Sequence, residues 1–455
     1  MRDLTTGKES TQIFKFALPM LVGNLFQQFY NIVDSIIVGN FINKEALAAV
    51  GASFPVIFTL ISFVIGIGSG ATIVISQFFG AKKYDQVSKT IDTILIFMLF
   101  VSILISVIGL TFAENIFKLL LLPDNLIPQA VEYFHIYIAG SFVFFGFYTI
   151  SSILRGLGDS KTPVYFIVIA TIFNVLLDLL FIIVFEWGIA GAAWATVISQ
   201  GGAFITAIIY LNRTHELINF SVRNLAFDKE IFKKSLKIGL PTSFQQSFVA
   251  LGMTALMGIV NQFGTNVIAA YSVAMRLNSL ATLPAMNFGS ALSMFVGQNL
   301  GAGKLERVRS GYISTILMSV VISIIVTLIM IFFGENLMQL FTKDANVIAI
   351  GAEYLIIVGS FYAIFAIMFS TMGVLRGAGS TIIPMFASLL ALWAVRLPVA
   401  YVLSDQIGYT GIWWANPMGW FIGLVIVVAY YLSGRWKTRG IVASRDEIDL
   451  SSTPN

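Results

Sequence analysis

Cysteine is absent from the 455 residues, and charge is scarce, with 11% of the chain Asp, Glu, Lys or Arg where soluble domains carry about 25%. The first absence removes disulfides and thiolate ligands from consideration. The second excludes an ordinary solvated globular surface. Histidine is nearly missing too, since only His135 and His215 occur and neither has metal-ligand companions in the sequence. No phosphate-cradling glycine loop, nucleophile elbow or zinc motif is present, so ATP hydrolysis by this chain alone is not expected, and neither is a cofactor.

What fills the chain instead is apolar. Hydrophobic residues make up 57% of it and the mean hydropathy is +0.88. Runs long enough to cross a hydrocarbon core of about 30 Å as helices recur at residues 13–38, 47–79, 91–112, 131–154, 163–185, 189–211, 236–261, 267–299, 312–333, 352–375, 382–403 and 410–432. The expectation is an all-α membrane protein of twelve transmembrane helices. The first run holds Asn24, Gln27, Gln28 and Asn31 and lacks a small-residue cleavage site, so it reads as a retained span and not a cleaved leader. With the N-terminus in the cytoplasm, 22 of the 27 Lys and Arg residues fall at the termini or in cytoplasmic loops, and the opposite loops keep only Lys44, Lys118 and Lys343. That bias sets both termini in the cytoplasm of a multi-pass cell-membrane protein. The net charge of +4 therefore concerns topology, and nucleic acid is not an expected partner.

The chain also repeats itself. ILRGLGDSKTP at 153–163 matches VLRGAGSTIIP at 374–384, QFFGAKK at 77–83 matches QNLGAGK at 298–304, AENI at 113–116 matches GENL at 334–337, and VEY at 131–133 matches AEY at 352–354. All four pairs share one offset, 221 residues. Each half then holds six helices, and because six is even the copies have one orientation about an axis along the membrane normal. The expected domains are an N-lobe with its connecting loop, 1–220, and a C-lobe with a cytoplasmic tail, 221–455. Two pseudo-symmetric six-helix lobes around a central cleft are the arrangement in which alternating-access transporters hold substrate.

At this point the sequence resembles a family. The first helix with its Leu18-Pro19, the DSIIVG segment at 34–39, a glycine-rich second helix ending in Gln77-x-x-Gly80-Ala81, and an RGxG loop followed by proline, at 155–163 and again at 376–384, together resemble a MATE (multidrug and toxic compound extrusion) transporter over nearly the whole chain. The resemblance implies a V-shaped pair of six-helix bundles, a non-enzymatic efflux function, and export of amphipathic, often cationic, organic compounds by antiport with H+ or Na+. Small-molecule substrates and membrane lipid are the implied partners, and a monomer is expected. Two other readings stay open: the resemblance extends to related superfamily members that flip a lipid-linked precursor, and a membrane-embedded enzyme acting on a lipid could also be built on such a repeat.

The residues themselves point to where an ion would act. Asn24, Gln27, Gln28, Asn31 and Asp34 fall at i, i+3, i+4, i+7 and i+10, one polar stripe on a helix. A carboxylate at mid-membrane costs from about 2.5 kcal/mol upward, so Asp34 should line an interior or a water-filled path. Asp178, one turn after Asn174, is the only other acid well inside a span. The fifth run leads outward from Pro163 and carries Asp178 about 22 Å along it, a depth comparable with Asp34 and with Thr196 on the next run. Asp34, Asn174, Asp178 and Thr196 form an all-oxygen set able to share a proton or to coordinate Na+, and the resemblance implies a cation-coupling site at these same four residues. Hydrogen-bonded cross-linking of helices is the structural alternative.

The second half drops this chemistry. The offset carries Asp34 to Ala255, Asn174 to Val395 and Asp178 to Val399, so coupling is expected to be one-sided. That half instead has Arg276 and Arg396 within spans, readable as substrate or gate contacts or as structural arginines. Gln245 and Gln246 partly echo Gln27 and Gln28. With Asn31 these amides and arginines are candidate substrate-cleft residues, helix packing being the other reading of the amides.

Overall fold

The computed structural model describes residues 2–42, 44–120, 122–214 and 226–442. His215, Arg223 and most of the stretch joining the two repeats lie outside the described residues, as do the side chains of Asn31 and Ser35. Among the described residues the chain is helical, with no strand. Helices α1 (Glu9–Phe41), α2 (Lys44–Gly80) and α3 (Tyr84–Leu119) are followed by α4 (Ile127–Ala139), α5 (Ser141–Gly156), α6 (Thr162–Asp178) and α7 (Gly188–Thr214). The second half repeats the order with α8 (Lys229–Val260), α9 (Thr265–Gly301), α10 (Leu305–Gln339), α11 (Ala345–Gly359), α12 (Tyr362–Gly377), α13 (Ile382–Leu389), α14 (Leu397–Ile407) and α15 (Thr410–Leu432).

Nine of the described helical segments are long and apolar enough to cross a membrane, and two further crossings are the bent pairs α4 with α5 and α11 with α12. Helix α1 carries the polar stripe, and its 33 residues extend about 50 Å at 1.5 Å per residue. The run expected at 131–154 is therefore not one straight rod. It bends by 50° after Ala139, and its counterpart α11–α12 bends by the same 50°. At the first bend the isopropyl group of Val197 occupies the space a Cβ on Gly140 would need, so a side chain there would push the two helices apart. Both bends are tied by the same bond, Ser106 Oγ donating to the Ile138 carbonyl at 2.9 Å and Thr327 Oγ1 to the Gly359 carbonyl at 2.6 Å. Those four positions are again 221 residues apart.

The repeat extends to the backbone. Gly158 and Gly379 both take positive φ, 86° and 82°, ending α5 and α12 in left-handed turns that glycine adopts without strain. After these turns the Asp159 amide donates to the Leu154 carbonyl and the Ser380 amide to the Leu375 carbonyl, each at 2.8 Å. The loop sequence thus dictates one shape twice.

Two compact units are present. The first comprises Met1–Arg2, Val22–Ile75 and Lys83–Gly239, and the second Asp3–Leu21, Ser76–Lys82 and Leu240–Asn455. Within the first, Ile37, Val38, Phe117, Phe134, Ile138, Ile189 and Ala193 form a core beside the site described below. Within the second, Gln77-x-x-Gly80 and Gln298-x-x-Gly301 meet reciprocally: a methyl on Gly80 would overlap the Gln298 carbonyl, and one on Gly301 the Gln77 carbonyl. Only glycine permits such backbone contact. The same unit holds the start of the chain, where Arg307 pairs with Glu9 at 2.8 Å and Gln298 accepts from the Leu4 amide at 2.9 Å.

Each half contains one π-helical stretch, Leu179–Val184 directly after Asp178 and Leu390–Arg396 ending at Arg396. Pro398 follows the second by two residues and cannot donate to the preceding turn, which accounts for the loosened ladder there. No proline accompanies the first.

Candidate functional site

Helix α1 sets Tyr30 and Asp34 one turn apart on one face. One carboxylate oxygen of Asp34, Oδ1, is buried without a hydrogen-bond partner. Asp178 closes α6, is 0% exposed, and likewise has a buried, unpartnered Oδ1. The two carboxylates lie within charge–charge range of each other. Asn174, one turn before Asp178, and Thr196 on α7 complete the set, both buried. The structure thus brings together four residues drawn from three helices of one compact unit.

Their bonding is directional. The Thr196 hydroxyl donates to the Ala192 carbonyl at 3.1 Å, so the Tyr30 hydroxyl, also 3.1 Å away, is the donor to it. The Asn174 amide has two useful orientations. In one its nitrogen donates to Thr196 Oγ1 at 3.4 Å; turned over, that nitrogen donates to Asp178 Oδ2 at 3.0 Å while the oxygen accepts from the Thr196 backbone N–H at 3.3 Å. The second orientation satisfies an ionised Asp178. In the first the amide nitrogen faces the Thr196 backbone N–H, itself a donor, so the second orientation is the better satisfied. Tyr133 and Tyr137 of α4 also lie within charge range of Asp34, their rings stacked on each other at 6.2 Å and Tyr137 on Phe144 at 4.4 Å.

Sequence reasoning had not placed these tyrosines at the acids. Tyr30 was discoverable, being four residues before Asp34. Tyr133 and Tyr137 share a helix face, but nothing in the sequence aims that face at α1.

The remaining candidates are dispersed. Gln27 donates to the Tyr148 hydroxyl at 3.3 Å, and Gln28 is half-buried on α1. Gln245 is buried and committed to neighbours, donating to the Pro384 carbonyl at 3.3 Å and to Ser388 Oγ, and accepting from Arg376 at 3.0 Å. Gln246 is half-buried and Arg276 exposed. Arg396 is buried, its Nη1 3.7 Å from Met253 Sδ. Among the described residues no cluster of three or more His, Cys, Asp or Glu could hold a metal. Two carboxylates, an amide and a hydroxyl suit a proton or a hard monovalent cation.

A many-span helical protein with an internal repeat and one buried pair of acids belongs to the class of membrane transporters. The model of the MatE family matches twice, at residues 19–180 and 241–402, once in each half. Two proteins of Bacillus subtilis described as probable multidrug resistance proteins, YpnP and YoeA, are 33% and 32% identical to the chain, covering 96% and 94% of it and 97% and 94% of themselves. Solved MATE structures in the bent and in the straight conformation superpose with TM-scores of 0.89 and 0.88 at 24% identity, covering 96% and 95% of this chain and 98% and 97% of theirs. The chain belongs to the MATE family of multidrug efflux transporters, and so among transporters rather than enzymes.

Proposed function

We propose that the protein exports amphipathic, cationic organic compounds by secondary antiport, and that Asp34, Asn174, Asp178 and Thr196 are its coupling site for H+ or Na+. The observation that carries this reading is the pair of carboxylates with buried, unpartnered oxygens, Asp178 being held by the Asn174 amide, which donates to its Oδ2 at 3.0 Å. Intramembrane acids are costly and mark ion pathways. With the site empty, the two charges repel; a bound proton or Na+ removes that repulsion, so the ion favours whichever conformation holds the acids closest. Linkage then requires that the conformation which opens to substrate differ in ion affinity.

Helix α1 is the part best fitted to move. It carries Tyr30 and Asp34 at the site and Pro19 nearer its start, and proline weakens the ladder at which a helix bends. The distribution of Lys and Arg supports cytoplasmic termini.

The driving forces bound what such a cycle achieves. One pH unit is worth about 1.4 kcal/mol and 100 mV about 2.3 kcal/mol per charge moved, so one proton exchanged for one monovalent cation yields about a tenfold gradient per pH unit and ignores voltage. The test is flux of a lipophilic cation into liposomes holding the purified protein, with ΔpH, ΔNa+ and membrane potential imposed separately. Flux following ΔpH or ΔNa+ in the parent and neither in Asp34→Asn is expected. Flux indifferent to both gradients in the parent removes the coupling reading.

A further inference from the structure

Arg396 occupies the middle of a membrane-crossing segment, Ile382–Ile407. It lies eleven residues from the nearer end, about 16 Å along a helix at 1.5 Å per residue, and is 5% exposed. Snorkelling to an interface works near helix ends and is out of reach here. A guanidinium cannot shed its proton and presents five N–H donors. Yet Nε has no partner, and Nη1 has only the sulfur of Met253, a weak acceptor, at 3.7 Å. Both ion pairs among the described residues, Lys118 with Glu114 and Arg307 with Glu9, lie elsewhere.

The surroundings are rich in donors. Tyr271 of α9 and Tyr354 of α11 lie within charge range of Arg396. Trp413 of α15 stacks on Tyr271 at 5.5 Å and meets Tyr354 edge-on at 5.0 Å, and its indole Nε1, wholly buried, also has no partner. Asn416, one turn on, donates to the Tyr354 hydroxyl at 3.3 Å and leaves its Oδ1 unpartnered. Space is tight, since a Cβ on Gly419 would come within 3.3 Å of Arg396 Cβ and 2.9 Å of the Ala391 carbonyl. Among the described residues the second compact unit therefore contains a permanent buried cation near an orphaned indole N–H, with no carboxylate paired to it.

We propose that Arg396 is the charged wall of an anion site inside this unit, taking one small monoanionic group against its guanidinium, with the indole N–H of Trp413 and the Tyr271 hydroxyl as further donors and the Tyr354 hydroxyl, which donates to Met275 Sδ at 3.3 Å, held aside. The group is either a free inorganic monoanion or the carboxylate of a transported compound; both present the same charge and acceptor chemistry. The site does not depend on the ion-coupling reading, because it shares no residue with the acid pair.

The test uses the purified full-length protein in detergent, unfolded by heat at constant ionic strength, with sodium gluconate, whose anion is too bulky for a small-anion site, replaced stepwise by sodium chloride, nitrate, acetate or benzoate. In the parent, at least one small monoanion should raise the midpoint in a saturable way. In Arg396→Met that dependence should vanish, while the midpoint in gluconate is no lower than the parent's because an uncompensated buried charge has been removed. Arg396→Lys, keeping the charge but losing the planar fork, should retain a weakened response. A response to chloride or nitrate alone identifies a free inorganic ion, and one to benzoate that is accompanied by benzoate flux in liposomes identifies a transported carboxylate. A parent midpoint indifferent to every anion overturns the proposal whatever the variants do, and so does an Arg396→Met protein that responds as the parent does.

Discussion

The two halves of this chain have the same loops, the same bends and opposite buried charge. In the first, Asp178 sits at the edge of a π-helical stretch and faces Asp34; in the second, Arg396 sits at the edge of another and faces aromatic hydroxyls. The offset of 221 carries Asp178 to Val399, three residues beyond Arg396. Duplication therefore preserved what sets backbone shape and released what sets chemistry. Glycine positions with positive φ and the carbonyl-capping hydroxyls at the bends recur because backbone geometry depends on them locally. The charged groups inside the spans do not recur: the offset pairs Asp34 with Ala255, Asp178 with Val399 and Arg396 with Val175, because no backbone feature needs them.

The sharpest break of this comparison is loss of the acid pair. Asp178→Asn and Asp34→Asn should each reduce gradient-driven flux to passive leak while folded protein remains in the membrane, measured by liposome uptake beside size-exclusion profiles. Parent-like flux in both would relocate the coupling site. A second change makes the halves more alike: Val399→Asp puts a carboxylate at i+3 from Arg396, within reach of an ion pair, and should abolish the dependence of thermal stability on small anions. Retention of the parent's full dependence would mean that Arg396 is not the anion's partner.

Two smaller effects test what the halves share. Gly80→Ala and Gly301→Ala each force a methyl into a carbonyl oxygen and should cost alike, about 1–3 kcal/mol as for other overpacked contacts, read as matched falls in melting temperature. Unequal falls would show that the reciprocal contact is not energetically symmetric. Thr196→Val keeps the shape but deletes the acceptor for Tyr30, a loss of about 1 kcal/mol. It should weaken ion dependence of transport by about fivefold, visible as a shifted half-saturation for the driving ion with maximal flux little changed.

Much of this architecture was legible in the sequence because the membrane imposes length and polarity on every span. The membrane-crossing helices follow from apolar runs of sufficient length, and the repeat follows from four short matches at one offset. The four candidate coupling residues were marked by cost, since an acid or amide stripe in an apolar helix is tolerated only where it faces the interior. What escaped lies in properties without a local code. The bends after Ala139 and Gly359 depend on what packs against them, such as the Val197 side chain filling the space beside Gly140. The π stretch after Asp178 has no proline to announce it. Tyr133 and Tyr137 reach the acids only through tertiary placement of α4, and the solitude of Arg396 is a statement about every neighbouring helix at once.

The reciprocal contact between Gln77-x-x-Gly80 and Gln298-x-x-Gly301 has a consequence for descent. A contact that maps onto itself when the two copies are exchanged is isologous, the kind by which identical subunits form a closed pair. A half-length ancestor bearing this motif once would have possessed a ready means of self-association, with both partners constrained to be the same. Fusion into one polypeptide lifts that constraint, since a substitution no longer appears on both sides together. An aspartate in one copy could then persist opposite a valine in the other, and an arginine could arise where no second arginine would follow it.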